Sequence, residues 1–259
     1  QYGYATTASA VDGLAAGATA VDVFTYTITD GALSASAELL ITVTGVNDAP
    51  VAVADTLDAT EDTPETYTAA QLVGNDTDVE NSDLSLSSVT SGSNGTAVLN
   101  ADGTVTFTPN ADYAGAADFT YIVNDGTADA TSAATVTVNV GAVNDAPVAV
   151  ADTLDATEDT PETYTAAQLV GNDTDVENSE LSLSSVTSGS NGTAVLNADG
   201  TVTFTPNADY AGAADFTYIV NDGTADATSA ATVTVNVGAV NDAPVAVADT
   251  LDAVEDTPV

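Results

Sequence analysis

The chain has 259 residues, 39 of them Asp or Glu, and contains no Lys, Arg, His, Cys, Met or Trp, so its formal charge is −39. Without those residue types, Ser-His-Asp and Cys-His catalysis, Schiff-base lysines, His- or Cys-based zinc and iron sites, arginine phosphate clamps, disulfides and lysine isopeptide cross-links are excluded. A chain without cations also repels nucleic-acid phosphate and anionic lipid, so neither nucleic acid nor direct membrane contact is expected.

Hydrophobic residues make up 44% of the chain, arranged as alternating Val, Thr, Ala and Leu, which predicts a folded protein and not an acidic coil. In chain order, Val23 to Thr29 alternates with period two, Asp30-Gly31 supplies a hairpin turn, and Leu39 to Thr44 is the returning strand. The stretch Asn47 to Pro64, NDAPVAVADTLDATEDTP, then returns as Asn144 to Pro161 and, with Val254 in place of Thr157, as Asn241 to Pro258. Both spacings (144 − 47 and 241 − 144) are 97, and between Asn47 and Val240 the two copies differ only at Asp83 versus Glu180. A unit of that length is a domain with its own core, too long for a solenoid repeat.

Within the first copy, Val51 to Asp55 and Glu65 to Thr68 read as one interrupted strand, broken near Pro64 as suits a sheet edge. Ala69 to Val73 reads as a helical turn. Leu84 to Val89, Thr96 to Leu99, Val105 to Thr108, Phe119 to Val123 and Ala134 to Val140 read as strands. Turns are expected at Ser93-Asn94-Gly95, Asn100-Ala101-Asp102-Gly103 and Asn124-Asp125-Gly126. About seven short strands with regular turn signals predict an all-β fold of tandem antiparallel Ig-like sandwiches. The expected domains are 1–46, the C-terminal part of a related sandwich; 47–143 and 144–240, two full repeats; and 241–259, the start of another. Aligned on the Asp-Gly turn, Phe24 corresponds to Phe119 with a shift of 95, so the opening domain has a shorter last loop. There is no run of 18 apolar residues and no signal peptide, and the chain opens on Gln1, so it reads as a piece of a longer one.

The loop Asn75 to Glu80 carries Asp76, Asp78 and Glu80 at alternate positions, repeated as Asp173, Asp175 and Glu177. Hard cations such as calcium take six to eight oxygens, and such a loop offers three from one segment. The bland reading is a solvated polar loop. With no basic residue available, clustered carboxylates must repel, take up protons or bind cations, and only the last stabilises a fold at neutral pH. The loop is not an EF-hand: counted from Asp76, the sixth position is Asn81 where Gly is required and the twelfth is Ser87 where Glu is required. Tyr113 and Tyr210 are expected to anchor a loop to the core in the manner of a tyrosine corner. The sequons at Asn75 and Asn94 are short patterns that arise by chance. An aromatic content of 5% leaves no platform for a glycoside-cleaving carboxylate pair, and no enzyme activity is expected.

Several motifs together resemble a known family: Val143-Asn144-Asp145-Ala146-Pro147, Glu158-Asp159-Thr160-Pro161, Gly171-Asn172-Asp173-Thr174-Asp175, the run Asn197 to Asn207, and Phe216 to Gly223. They resemble cadherin-like repeats, whose linkers carry an Asn-Asp-Asn-Ala-Pro type motif and bind calcium between sandwiches. More closely, they are similar to the VCBS-type and cadherin-like repeats of giant bacterial adhesins of the RTX class. The resemblance implies calcium at the junctions. Asn144 and Asp145 would join Asp173, Asp175 and Asp222, with an acid of the preceding repeat such as Glu61 or Asp62. Asn47, Asp48 and Asp125, and Glu158, Asp159, Asn241 and Asp242, hold the matching positions at the other joints. Animal cadherins have an Asp where this chain has Ala142, and their Asp-Arg-Glu motif has no counterpart here, so one ion and three per joint both stay open. The implied function is a structural extender of a secreted cell-surface adhesin, partnered by its neighbouring repeats, with adhesion or biofilm attachment supplied by domains elsewhere. The alternative is a subunit of an extracellular filament or sheath, in which copies exchange strands.

Overall fold

The computed structural model describes residues 9–252 and 254–256. Residues 1–8 of the expected opening domain, and 253 and 257–259 of the third linker copy, lie outside the described residues. The chain divides into two compact units, Gln1–Val143 and Asn144–Val259.

The first unit opens with a short helix α1 (Ser9–Asp12) and a hairpin of β1 (Thr19–Thr29) and β2 (Ser34–Thr44), both strands longer than the alternating runs suggest. Its turn is the expected Asp30-Gly31: Gly31 has φ of 97°, and Asp30 Oδ1 accepts from Ala32 N at 2.9 Å and Leu33 N at 2.8 Å. A side-chain oxygen that caps its own turn lets Asp lead tight turns.

The repeat follows with β3 (Asp55–Thr60), β4 (Glu65–Tyr67), a helical turn α2 (Ala69–Val73), β5 (Ser85–Ser91), β6 (Gly95–Leu99), β7 (Val105–Pro109), β8 (Gly115–Asn124) and β9 (Ala134–Gly141). A four-stranded sheet runs β3-β9-β8-β5 and a three-stranded sheet β4-β7-β6. The interrupted first strand is therefore real, and each half is the edge strand of a different sheet, with Pro64 in the break. Its first half starts later than expected, at Asp55; Val51 makes only an isolated bridge to Thr77. β3 pairs in parallel with β9, the one departure from antiparallel pairing in this repeat among the described residues.

The pleat explains the pattern. Val105 and Phe107 of β7 face inward and are buried, as are Phe119, Tyr121 and Val123 of β8 and Val136, Val138 and Val140 of β9, while the intervening Thr residues face out. Leu72 of α2 closes the core, and the Phe107 and Phe119 rings stack with centroids 5.9 Å apart. Tyr113 Oη donates to Ala116 O at 2.7 Å and accepts from Asn94 Nδ2 at 2.8 Å, the loop anchor expected of it.

The second unit repeats this arrangement: β10 (Asp152–Thr157), β11 (Glu162–Tyr164), α3 (Ala166–Val170), β12 (Ser182–Ser188), β13 (Gly192–Leu196), β14 (Val202–Pro206), β15 (Gly212–Asn221) and β16 (Ala231–Gly238). Its sheets run β10-β16-β15-β12 and β11-β14-β13, with β10 again parallel to β16. The described residues after β16 form no strand and are exposed.

Candidate metal centre

Acidic side chains collect at both ends of a repeat; the near end can be followed in both units and the far end in the second. In the first unit the linker is seated on the repeat that follows it. Asn47 Nδ2 donates to Asp125 Oδ2 at 2.8 Å and to Asp48 O at 2.9 Å, and Asp48 N donates to Glu80 Oε1 at 3.2 Å. Asp125 sits at the tip of the β8–β9 turn, where its Oδ1 accepts from Thr127 N at 2.6 Å and Ala128 N at 2.7 Å. These donors, the Ala128 amide first and Asn47 next, hold its carboxyl below the ordinary carboxylate value. In the second unit Asn144 Nδ2 reaches Asp222 Oδ2 at 2.8 Å and Asp145 N lies 3.4 Å from both Glu177 oxygens, which brings Asn144, Asp145, Glu177 and Asp222 together.

Asp78 follows as part of the same loop. Its Oδ1 accepts from Ser82 N at 2.8 Å, closing a turn in which Asn81 has φ of 58°. Its Oδ2 and Glu80 Oε2 are buried with no hydrogen-bond partner, and so is Oδ2 of the matching Asp175. A buried carboxylate oxygen that nothing donates to costs free energy unless a positive charge faces it. The donor set of hard oxygens, with no nitrogen or sulfur, fits calcium.

Asp76 and its copy Asp173 do something else. Asp76 faces the buried Tyr121 hydroxyl, which lies 3.1 Å from both its oxygens, and Oδ1 also accepts from Val53 N at 2.7 Å. The same hydroxyl reaches Leu72 O at 2.8 Å, Asp55 Oδ2 at 3.0 Å and Val53 O at 3.2 Å, tying β3, α2 and the acidic loop to β8. Burial raises the carboxyls of both Asp55 and Asp76, and the charge of Asp76 adds to the effect on Asp55. Asp173, Asp152 and Tyr218 repeat the arrangement.

The far end of a repeat is seen within the second unit. Glu158, buried beside the end of β10, accepts Val240 N at 2.5 Å; Glu61 holds Val143 N in the same way in the first unit. Carboxylate oxygens of Asp159, Asp209 and Asp242 all lie within 4.8 Å of one another. Asp159 and Asp209 stand in left-handed turns, with φ of 61° and 53°, and Asp209 N donates to Asp159 Oδ1 at 3.1 Å. Asp and Asn tolerate that conformation better than most residues. Partial desolvation, then the charges of Asp159, Asp209 and Glu158, raise the Asp242 carboxyl. Asp62 and Asp112 adopt the same turns in the first unit, with φ of 58° and 54° and a 3.1 Å bond from Asp112 N to Asp62 Oδ1. Asn241 Nδ2 bonds Asp242 O at 3.2 Å, as Asn47 and Asn144 bond their neighbours.

Sequence reasoning missed Asp112 and Asp209. They lie in Asn-Ala-Asp-Tyr-Ala-Gly, a motif read only for its tyrosine; 50 residues separate Asp209 from Asp159, and no spacing rule connects them.

Residues 46–141 and 143–238 match the family model of the cadherin-like domain. No curated protein sequence matches the chain. Among solved structures, it is similar to mouse protocadherin-24 EC1-3 at 13% identity, over 84% of this chain and 80% of that one, with a TM-score of 0.53. It is also similar to mouse clustered PcdhgC3 EC1-3 at 15% identity, over 90% and 80%, with a TM-score of 0.45. An endo-fucoidan hydrolase, MfFcnA4 of glycoside hydrolase family 107, aligns at 18% identity over 86% of this chain with a TM-score of 0.31, and the chain spans only 34% of its length. At these identities the likeness to protocadherin-24 shows a shared fold and nothing more.

Proposed function

The chain belongs to the cadherin-like domain family over both full repeats, and on that footing we propose that it forms the stalk of an extracellular adhesion protein, with calcium held at the ends of its repeats. The observation that carries the calcium reading is the set of buried, partnerless carboxylate oxygens on Asp78, Glu80 and Asp175, beside linkers already seated on the same loops. At the near end of a repeat, Asp48, Asp78, Glu80 and Asp125, and their copies Asp145, Asp175, Glu177 and Asp222, would hold the ion. At the far end, Glu158, Asp159, Asp209 and Asp242 would do so. The ion supplies two positive charges to a chain that has none of its own. The carboxylates of linker and loop then share one counter-charge in place of mutual repulsion, which fixes the linker on the repeat and stiffens the joint.

Extracellular calcium modules have dissociation constants of roughly 10⁻⁴ to 10⁻³ M, so such sites fill outside the cell. Cadherin-like domains are extracellular and typically non-enzymatic. No helix among the described residues is long and apolar enough to cross a membrane. In finer terms, the motifs favour the extender region of a secreted, VCBS-type bacterial surface adhesin of the RTX class, serving cell adhesion or biofilm attachment through domains outside this sequence. The named domains 1–46, 47–143, 144–240 and 241–259 are its successive beads.

The test is thermal unfolding of the full chain in chelator, then with calcium, magnesium, or sodium at matched ionic strength. A calcium-specific rise is expected, corresponding to about 2.7 kcal/mol per site when calcium stands near a hundred times its dissociation constant. The near-end pair Asp78→Asn with Glu80→Gln should remove part of the rise, and Asp209→Asn with Asp242→Asn another part. A rise that sodium reproduces would refute the calcium reading.

A further inference from the structure

Within each repeat the first and last strands lie side by side and run the same way. β3 pairs with β9 along its whole length, from Asp55 opposite Val136 to Thr60 opposite Gly141, and β10 pairs with β16 from Asp152 opposite Val233 to Thr157 opposite Gly238. These are also the strands by which the chain enters and leaves the repeat. The linker from Asn47 leads into β3, and β9 leads out through Ala142 and Val143 into the next linker. A pull along the chain therefore draws β3 by its Asp55 end and β9 by its Gly141 end. In a parallel pair these are opposite ends of the ladder, so the pull slides one strand past the other and loads all six residue pairs together. Had the two strands been antiparallel, both pulled ends would sit at the same end and the bonds would break one after another.

Further contacts extend the ladder on either side. Glu61 N, just past β3, donates to Gly141 O at 3.1 Å, and the Glu61 carboxylate, 2% exposed, accepts Val143 N at 2.5 Å. Glu158 repeats both contacts, with Gly238 O at 3.0 Å and Val240 N at 2.5 Å. Ahead of β3, Val51 and Thr77 exchange backbone bonds of 2.8 and 3.0 Å, and Val53 N donates to Asp76 Oδ1 at 2.7 Å. Leu57 and Ala59 of β3 pack half-buried on the core, so sliding the strand also drags apolar side chains off it. The chain has neither Cys nor Lys, so no disulfide or lysine isopeptide bond carries load in place of these contacts. One backbone hydrogen bond contributes little by itself, and a row of them resists a pull only when they must break at once.

We propose that the parallel pairing of first and last strands is a shear clamp by which each repeat bears tension along the chain. That use rests on the stalk proposed for the chain, whereas the resistance is a property of a single repeat and is measured without calcium, so either can fail alone.

The test is single-molecule force spectroscopy of the full chain in chelator. Because the chain has no cysteine, a pair of introduced ones fixes the points of attachment. Ala54→Cys with Ala142→Cys pulls the β3–β9 ladder in shear. Ala54→Cys with Ser132→Cys pulls the same ladder open from the end where both strands begin. All three positions are exposed and lie outside the strands, so the fold is unchanged between the two variants. The unfolding force in shear should exceed the opening force several-fold at the same pulling speed. Held by its two ends, the chain should give two events at the shear force, each releasing about 350 Å less the folded span, from 97 residues at about 3.6 Å apiece. Equal forces in the two directions, or a lower force in shear, would overturn the proposal, as would repeats that give way at the opening force when the chain is held by its ends.

Discussion

Tyr121→Phe probes the one side chain that joins the core of a repeat to its acidic loop. The ring is buried, so Phe keeps the packing and loses only the hydroxyl. That hydroxyl faces Val53 O, Leu72 O, Asp55 Oδ2 and both oxygens of Asp76 between 2.8 and 3.2 Å, but it has one hydrogen and can donate to one of them at a time. The expected loss is therefore that of one strong hydrogen bond, about 1.5–3 kcal/mol, and not a multiple of it. For a domain of this size, that lowers the melting temperature by about 6–24 °C. Differential scanning calorimetry in chelator reads it, with the unaltered Tyr218 repeat as the internal reference, so one transition should resolve into two.

The deficit should also depend on pH with a definite sign. Asp55 and Asp76 are raised above the ordinary 3.8, so the folded state binds their protons more tightly than the unfolded state does. Their contribution to stability rises as pH falls through the raised values towards 3.8. The tyrosine hydrogen bond opposes that rise in pKa, so its removal costs more at neutral pH than in mild acid. An unchanged melting temperature at neutral pH, or a deficit that grows on acidification, would refute the account.

Two further outcomes follow from local geometry. A Cβ on Gly95 would run into the Phe107 ring, 2.7 Å from Cε2, and lie 2.9 Å from Thr108 O, so Gly95→Ala should destabilise its repeat by about 1–3 kcal/mol, read as a lower denaturant midpoint at unchanged slope. Asp125 has the opposite sign from Asp55: its carboxyl is held below the ordinary value by Ala128, Asn47 and Thr127, so the stability it contributes is present above 3.8 and is lost as pH falls through its lowered value. Asp125→Asn should flatten the acid limb of the stability profile while leaving the Asx turn formed, and an acid limb as steep as that of the parent would refute it.

The period-two alternation of Thr and Val along 105–109 and 134–141, and the Asp-Gly and Asn-Gly turns, reveal the strands and the sandwich without further help. They act through neighbours in sequence: the pleat sends successive side chains to opposite faces, and the turn residues adopt backbone angles open to few others. The 97-residue period is likewise legible, because near-identical copies reveal their own spacing. Of the linker's partners, Glu80 stood among the candidate ligands for its place in the alternating acidic loop, and Asp125 because it matches the Asp-Gly turn position that the family resemblance implies. Other features depended on contacts between residues far apart in sequence. The parallel seating of Asp55–Thr60 on β9 joins strands at opposite ends of the repeat, and alternation gives no sign of strand direction. Asp76 and Asp78 look alike in Asp-Thr-Asp, but alternate positions of an irregular loop need not share a face: one turns to Tyr121 and the other keeps an oxygen buried at the acidic end. Asp209 meets Asp159 and Asp242 only because two left-handed turns and a linker converge there, and that convergence is a property of the packed sandwich, whose core residues are not themselves acidic.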